Sequence, residues 1–185
     1  MTMKIGGPYD DRLLDVLEDI GGSPFQGRVY RMVRDDGRSP LDGSRGAGRF
    51  NTREMNVLYC AQVGDGAVAE IYYHISRGQP VFPSKLTYRL YELEVRTTDT
   101  LTFLDLNAME QVGIEAEKYK EMLYGKTQEV AAAAQFMGFD GIIAPSARWD
   151  CQNVILFLDA IDPDDIKDID NEKVDWATWR KLNGK

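Results

Sequence analysis

The stretch at residues 48–70 constrains the fold most, because it joins a short apolar run to a helix across two glycines. The run Val57–Ala61 has the length and composition of a buried strand. Gly64 and Gly66 then interrupt the pattern, and residues 67–77 have the composition of a helix. The unit also contains an Arg, a Tyr and a Glu that hydrophobic patterning does not require. The combination predicts a functional site in this strand, turn and helix.

The rest of the hydrophobic pattern changes between helical and extended spacing without an internal repeat. Asp10 or Asp11 can cap an N-terminal helix, which Gly21 and Gly22 end. The other predicted strands are 27–34, 88–95, 101–106, 140–144 and 153–158, and the other predicted helices are 115–123, 127–137 and 175–182. We therefore predict one α+β domain, with mixed and mainly antiparallel sheets and flanking helices.

We expect the chain to have three parts. Residues 1–26 form an N-terminal helical extension, and residues 27–160 form the main body of the domain. Residues 161–185 form an acidic C-terminal segment with a short helix that belongs to the same domain. The acidic residues of that segment predict a solvated face.

Charge and composition exclude several classes of partner. The net charge is -8, whereas nucleic-acid binding needs a concentrated basic face. No apolar run approaches the roughly 20 residues of a membrane span, and the N-terminus lacks the apolar core of a signal peptide. Cys60 and Cys151 show neither disulfide nor metal spacing. We expect a cytoplasmic protein that contacts neither nucleic acid nor membrane.

Two phosphate-binding motifs are present only in part. Residues 64–69 have the GxGxxA form of a dinucleotide-binding turn, but the chain does not continue in alternating βαβ units. Residues 125–127, GKT, resemble the end of a P-loop, but Lys120 stands where the first glycine belongs. The single histidine, His74, excludes a two-His zinc site, and no GxSxG elbow indicates a serine hydrolase.

Several polar residues each have two interpretations at this stage. Arg31 lies between two valines on one strand face, either as an edge-strand side chain that reaches water or as a ligand-binding cation. Glu70 is a solvated helix carboxylate or a site residue. His74 follows Glu70 by four residues and shares its helix face, either as an ordinary helix histidine or as a catalyst. The polar loop at 35–47 is a mobile flap or a surface loop.

Taken in order, six short motifs resemble the RES-domain family: Tyr30-Arg31-Met32, Gly48-Arg49-Phe50, Tyr59-Cys60-Ala61, Glu70 with His74, Pro145-Ser146, and Asn153. The family is named for an Arg, a Glu and a Ser, which correspond to Arg31, Glu70 and Ser146. The resemblance covers residues 27–158. Its departures are Phe50, where the family usually has Trp, and the extra residues 1–26.

The resemblance implies an activity. Members of this family are toxins of bacterial toxin–antitoxin pairs, and their fold is similar to that of NAD-dependent ADP-ribosyltransferases such as diphtheria toxin. It implies NAD as the substrate, an Xre-like helix-turn-helix antitoxin as a partner, and a host protein as a further candidate target. Neither a metal nor another cofactor is expected.

The resemblance also implies roles for individual residues, which suit their chemistry. The catalytic group is Glu70, Arg31 and Ser146, in which the carboxylate stabilises positive charge on the ribose and the serine hydrogen-bonds ribose or amide. The substrate-binding group is Arg49 beside the pyrophosphate, Tyr59 stacked on nicotinamide, Phe50 as an aromatic wall, Asn153 and His74.

Three functions remain open from the sequence. The favoured one is cleavage of the nicotinamide–ribose bond with water or phosphate as the acceptor. The second is transfer of ADP-ribose to a specific host metabolic protein, because the acceptor is chosen by a surface and not by the cleavage residues. The third is a non-enzymatic module whose arginines bind an anion.

Overall fold

An eight-stranded sheet organises the described part of the chain, in the strand order β1-β5-β6-β7-β3-β2-β4-β8. The structure is a computed structural model that describes residues 8–44, 46–78, 82 and 85–185. Among the described strands, β5 and β6 pair in parallel and every other neighbouring pair is antiparallel. The predicted α+β class is therefore confirmed. The strands are β1 Gly22–Ser23, β2 Gln26–Arg34, β3 Val57–Ala61, β4 Tyr88–Arg96, β5 Thr100–Thr102, β6 Gly141–Pro145, β7 Gln152–Phe157 and β8 Ile166–Lys173.

Six α-helices are described around the sheet, and local signals end several of them. The first helix has Asp10 as its N-cap and Gly21 at its end, with φ 65°, as the sequence predicts. Gly138, with φ 97°, ends the fifth helix in the left-handed conformation. No helix among the described residues is long and apolar enough to span a membrane. The helices are α1 Asp11–Ile20, α2 Gly64–Ser76, α3 Leu106–Glu110, α4 Ala116–Tyr119, α5 Gly125–Met137 and α6 Trp176–Leu182.

Three hydrophobic clusters hold these elements together. The largest joins α1 and α5 to the sheet, and Leu13 and Leu17 of α1 are 4% and 0% exposed within it. A second surrounds Leu93 and Val154 in the sheet. The third packs α2 and α6 together through Trp176 and smaller residues. The helix of the predicted N-terminal extension thus packs into the main core, whereas residues 1–7 of that extension lie outside the described residues.

Three predicted elements begin or end at least three residues away from the predicted position. Helix α2 begins at Gly64, so both glycines lie in its first turn; a Cβ at Gly66 would lie 2.5 Å from the sulfur of Cys151. Gly66 is therefore explained by its close packing against Cys151 and not by an interruption of secondary structure. The predicted strand 101–106 is too long, because the Asp105 carboxylate accepts from the amide of residue 108 and caps α3. The predicted helix 115–123 shortens to α4.

Two sheet positions were not predicted. The acidic segment after residue 161 supplies β8, an edge strand paired with β4; apart from Ile166 its residues are exposed, so apolar alternation does not reveal it. Strand β2 is internal, between β3 and β4. The edge-strand interpretation of Arg31 is therefore wrong, because neighbouring strands flank that arginine on both sides.

Candidate active site

A cleft of about 450 Å³ opens where β2, β3 and α2 meet the turn at residues 48–51. Strand β2 supplies Arg31, the turn supplies Arg49 and Phe50, and α2 supplies Glu70 and His74. The loop after β6 and strand β7 complete it. The predicted residues that line it are Arg31, Arg49, Phe50, Tyr59, Glu70, His74 and Asn153.

The carboxylate of Glu70 is held through one of its oxygens. Ser146 Oγ lies 3.2 Å from Glu70 Oε1, and Asn153 Nδ2 lies 3.4 Å from the same atom. Both donors come from elements more than 70 positions away along the chain, the β6–β7 loop and β7. No hydrogen bond from a described residue reaches Oε2. The carboxylate is therefore oriented by the protein while one oxygen stays open to a ligand.

Ser146 contacts Glu70 from behind and does not line the cleft itself. Its hydroxyl oxygen also accepts the amides of Arg148 at 3.2 Å and Trp149 at 3.3 Å. These bonds fix the turn that follows β6. The geometry makes Ser146 a residue that positions Glu70, and its predicted catalytic contact with ribose stays a prediction.

Arg31 reaches the cleft from the interior of the sheet. Its Nη1 donates to the carbonyl of Tyr59 at 3.1 Å, and its Nη2 donates to the carbonyl of Asp42 at 2.8 Å. The buried Nε has no hydrogen-bond partner among the described residues. Burial lowers the pKa of the Arg31 guanidinium, yet an arginine stays charged at neutral pH. The group is a half-buried cation held by main-chain oxygens.

Arg49 lies on the opposite wall between two aromatic rings. Its guanidinium carbon is 4.7 Å from the ring centre of Tyr119 and 4.9 Å from that of Tyr124. Nη1 donates to the carbonyls of Tyr119 and Glu121. Stacking fixes the plane of the guanidinium and leaves its remaining N–H groups free for a ligand.

The turn that carries Arg49 is clamped by hydrogen bonds. The hydroxyl of Tyr59 accepts the Phe50 amide and donates to Asn51 Oδ1, both at 2.8 Å. From α5, Gln128 donates to the carbonyls of Gly48 and Asn51, and the Thr127 hydroxyl donates to the carbonyl of Arg49. Roles for the buried Asn51 and for both α5 residues were not predicted, although Asn51 directly follows a recognised motif.

Burial determines the properties of three other predicted site residues, Phe50, Tyr59 and His74. Phe50 is 1% exposed and belongs to the largest core cluster, so it supports the cleft wall from within. Burial raises the pKa of the Tyr59 phenol, which therefore stays protonated. Burial also lowers the pKa of His74, while Glu70 opposes that shift. The imidazole is thus mainly neutral near pH 7.

Arg148 is a further arginine of the cleft, and it was not predicted as a site residue. It lies two residues after Ser146 in the β6–β7 loop, and this closeness to a predicted site residue could have identified it from the sequence. Its guanidinium carbon lies 3.5 Å from the ring centre of Tyr73, and its Nη2 donates to the carbonyl of Lys120 at 2.8 Å. Among the described residues, the charged groups that line the cleft are three guanidinium groups and one carboxylate. The cleft is thus cationic in a chain whose net charge is -8.

Neither thiol near the cleft is a candidate nucleophile. Burial raises the pKa of Cys60 to about 12 and that of Cys151 to about 11, so both thiols are protonated at neutral pH. Within the part of the chain that the structure describes, no group of three or more His, Cys, Asp or Glu side chains is arranged to hold a metal ion.

Comparison with known proteins gives one family and one fold. The family model described as "RES domain" matches residues 28–178. A chain from the crystal structure of the M. tuberculosis MbcT–MbcA toxin–antitoxin complex superposes with a TM-score of 0.82 at 20% identity, covering 95% of this chain and 99% of that one. No curated protein sequence matches significantly. At that identity the structural likeness establishes the fold alone.

Proposed function

This chain belongs to the RES-domain family, and on that premise we propose that it is a bacterial toxin that breaks the bond between nicotinamide and ribose in NAD. The setting of Glu70 carries the proposal: one carboxylate oxygen is held by two donors, and the other is open to a cationic cleft. The fold shared with a chain of a toxin–antitoxin complex supports the toxin assignment.

Cleavage of the nicotinamide–ribose bond needs a fixed negative charge. The transition state is oxocarbenium-like, with positive charge at the anomeric carbon of the ribose. Glu70 supplies a carboxylate whose orientation is set before the substrate arrives, by Ser146 and Asn153. A preorganised charge stabilises the transition state without reorganisation during the reaction. Glu70 is therefore the proposed catalytic group, and its two donors orient it.

The arginines of the cleft match the rest of the substrate. The pyrophosphate of NAD carries two negative charges, and planar guanidinium groups bind phosphate oxygens in bidentate fashion. Arg31 and Arg49 lie on two walls of the same cleft. Arg31 uses one donor on each Nη for a main-chain carbonyl, so further N–H groups of the guanidinium remain for phosphate oxygens. The proposal requires no metal and no further cofactor.

We propose water or phosphate as the acceptor of the ADP-ribosyl group. Transfer to a protein would need a docking surface beside the cleft, and the N-terminal helix is one candidate for that role. The apolar face of α1 is instead packed, with Leu13 and Leu17 buried in the main core. Of the two candidate docking surfaces, this leaves the loop at residues 35–47, and the loss of the α1 face favours breakdown of NAD over transfer to a host protein.

The decisive measurement is nicotinamide release from NAD by the purified protein. Glu70→Gln keeps the shape of the side chain but removes its charge, so turnover is expected to fall by about 100-fold or more while substrate binding changes less. Glu18→Gln, at an exposed position of α1, is the matched control and should keep parental turnover. Both variants must melt like the parent. Near-parental turnover of Glu70→Gln would contradict the assignment and favour a non-enzymatic anion-binding module.

The products identify the acceptor. The reaction is run in buffers with and without phosphate. Phosphorolysis gives phosphorylated ADP-ribose only when phosphate is present, whereas hydrolysis gives ADP-ribose in both buffers. Labelled NAD added to cell extract tests the alternative, because a transferase labels one discrete protein band while bulk NAD is barely depleted. That band would overturn the proposed acceptor.

The proposed partner is an Xre-like helix-turn-helix antitoxin encoded beside this chain. An enzyme that consumes NAD would harm its own host without restraint, so we expect the antitoxin to cover the cleft or to compete for Arg31 and Arg49. Co-expression should restore growth of cells that produce the toxin. A neighbouring protein that neither binds nor restores growth would contradict the toxin proposal.

A further inference from the structure

Arg148 lines the cleft without an ion-pair partner among the described residues. Arg28, Arg89 and Arg96, outside the cleft, each lie within 4.0 Å of a carboxylate oxygen, at 2.6, 3.9 and 3.8 Å. Arg148 has no such partner among the described residues. Its Nε is buried and makes no hydrogen bond to any of them. Because Arg148 lines the cleft, its other guanidinium donors are placed to meet an acceptor from outside the chain.

We propose that Arg148 is a phosphate-binding residue of the cleft and makes it selective for ligands that carry a diphosphate. The inference rests on the proposed function, because it places the pyrophosphate of the dinucleotide in the same cleft. It adds a third cation, from the β6–β7 loop, to Arg31 and Arg49.

The contacts of Arg148 hold its guanidinium in a suitable orientation. The guanidinium carbon lies 3.5 Å from the ring centre of Tyr73, so the face of the cation is covered. One donor, Nη2, is used by the carbonyl of Lys120 at 2.8 Å. The remaining N–H groups point outward in the plane of the guanidinium, which is the direction from which phosphate oxygens bind it.

The charge of Arg148 acts inside the cleft. Burial is the main cause of the lowered pKa of His74, and Arg148 and Arg49 both contribute to the same lowering. The two guanidinium groups therefore act together on a residue one helical turn after Glu70. A diphosphate, with negative charge on two neighbouring phosphates, can be bound by both at once, whereas adenosine gains nothing from either.

Isothermal titration with ADP, AMP and adenosine tests the proposal without requiring turnover. Arg148→Gln is expected to weaken ADP binding about 10- to 100-fold, from the loss of charged hydrogen bonds, and to leave adenosine binding unchanged. Arg148→Lys should fall between, because lysine keeps the charge and loses the planar fork. The matched control is Arg180→Gln: Arg180 stacks on Phe82 at 4.9 Å and also has a buried Nε without a described partner, but does not line the cleft.

Three results would overturn the inference: parental ADP affinity in Arg148→Gln, equal losses for ADP and adenosine, or no ADP binding by the parent. Arg180→Gln should bind ADP like the parent, and an equal loss there would also count against a specific role. The proposed function fails separately. If the parent releases no nicotinamide but its ADP binding depends on Arg148, the proposed function fails and the inference about Arg148 stands. If the parent releases nicotinamide and Arg148→Gln has the parental KM for NAD, only the inference about Arg148 fails.

Discussion

Removal of the Tyr59 hydroxyl tests whether the turn at residues 48–51 is held as the structure indicates. Tyr59→Phe keeps the ring in the cleft but removes an acceptor for the Phe50 amide and a donor to Asn51 Oδ1, both at 2.8 Å. Phe50 and Asn51 are 1% and 0% exposed, so water cannot replace the lost partner. Each unsatisfied buried group costs about 1–3 kcal/mol. With two such groups, we expect the free energy of unfolding to fall by about 2–6 kcal/mol.

The same substitution separates two roles for Tyr59. If the ring only stacks on nicotinamide, phenylalanine preserves it and the kinetics of nicotinamide release do not change. If the hydroxyl holds the turn that carries Arg49, KM for NAD rises several-fold while kcat changes less, because the affected contact binds substrate and does not touch the breaking bond. Thr127 and Gln128 still contact the turn, so folding should survive.

Urea denaturation measures the stability change as a shift in midpoint at constant slope. Tyr91→Phe is the control, because the Tyr91 hydroxyl makes no hydrogen bond to a described residue and its loss should cost little. A loss below about 1 kcal/mol in Tyr59→Phe would refute the clamp, since two buried groups would then have found other partners. A destabilised variant with parental KM would show that the turn does not position Arg49 for binding.

Four further outcomes are expected. Arg31→Lys and Arg49→Lys should each weaken NAD binding by about 1–3 kcal/mol, measured by titration; parental affinity in both would assign these arginines to packing. Burial lowers the pKa of His74, so as the pH falls the histidine is protonated in the unfolded state before it is protonated in the folded state. The stability of the protein therefore falls as the pH drops below the ordinary pKa of histidine. His74→Gln should lose less melting temperature than the parent between pH 7.5 and 5.5, and an equal loss would contradict this. Asp140→Asn should lower the free energy of unfolding by about 2–4 kcal/mol in urea, because that buried carboxylate accepts four hydrogen bonds from residues 98–100; parental stability would refute it. Nicotinamide release should persist in EDTA, and its loss would indicate a required metal.

Local signals in the sequence were sufficient for elements whose limits depend on their own residues. Strand β3 matches its predicted range, Val57–Ala61. Helix α1 has the predicted cap, and helix α5 ends at the predicted Gly138, with φ 97°. A capping side chain or a left-handed glycine acts over a few residues, so the chain itself encodes these limits.

Sheet neighbours decided what local patterns could not. β8 is an exposed, mostly polar strand that forms by pairing its backbone with β4. β2 is internal because β3 and β4 pair with it from both sides. Pairing depends on segments far apart in sequence, so composition revealed neither the internal position of β2 nor the strand within the acidic segment.

The candidate site divides in the same way. Motifs in the sequence determined which residue types are present, including Arg31, Glu70 and Ser146 in family order. Only the tertiary structure placed Asn153 against a carboxylate 83 positions away and brought Arg148 into the cleft on the ring of Tyr73. Hydrogen bonds and stacked cations depend on distances of a few ångströms between elements joined by long-range pairing. No local pattern contains that information, because packing of the whole sheet sets it.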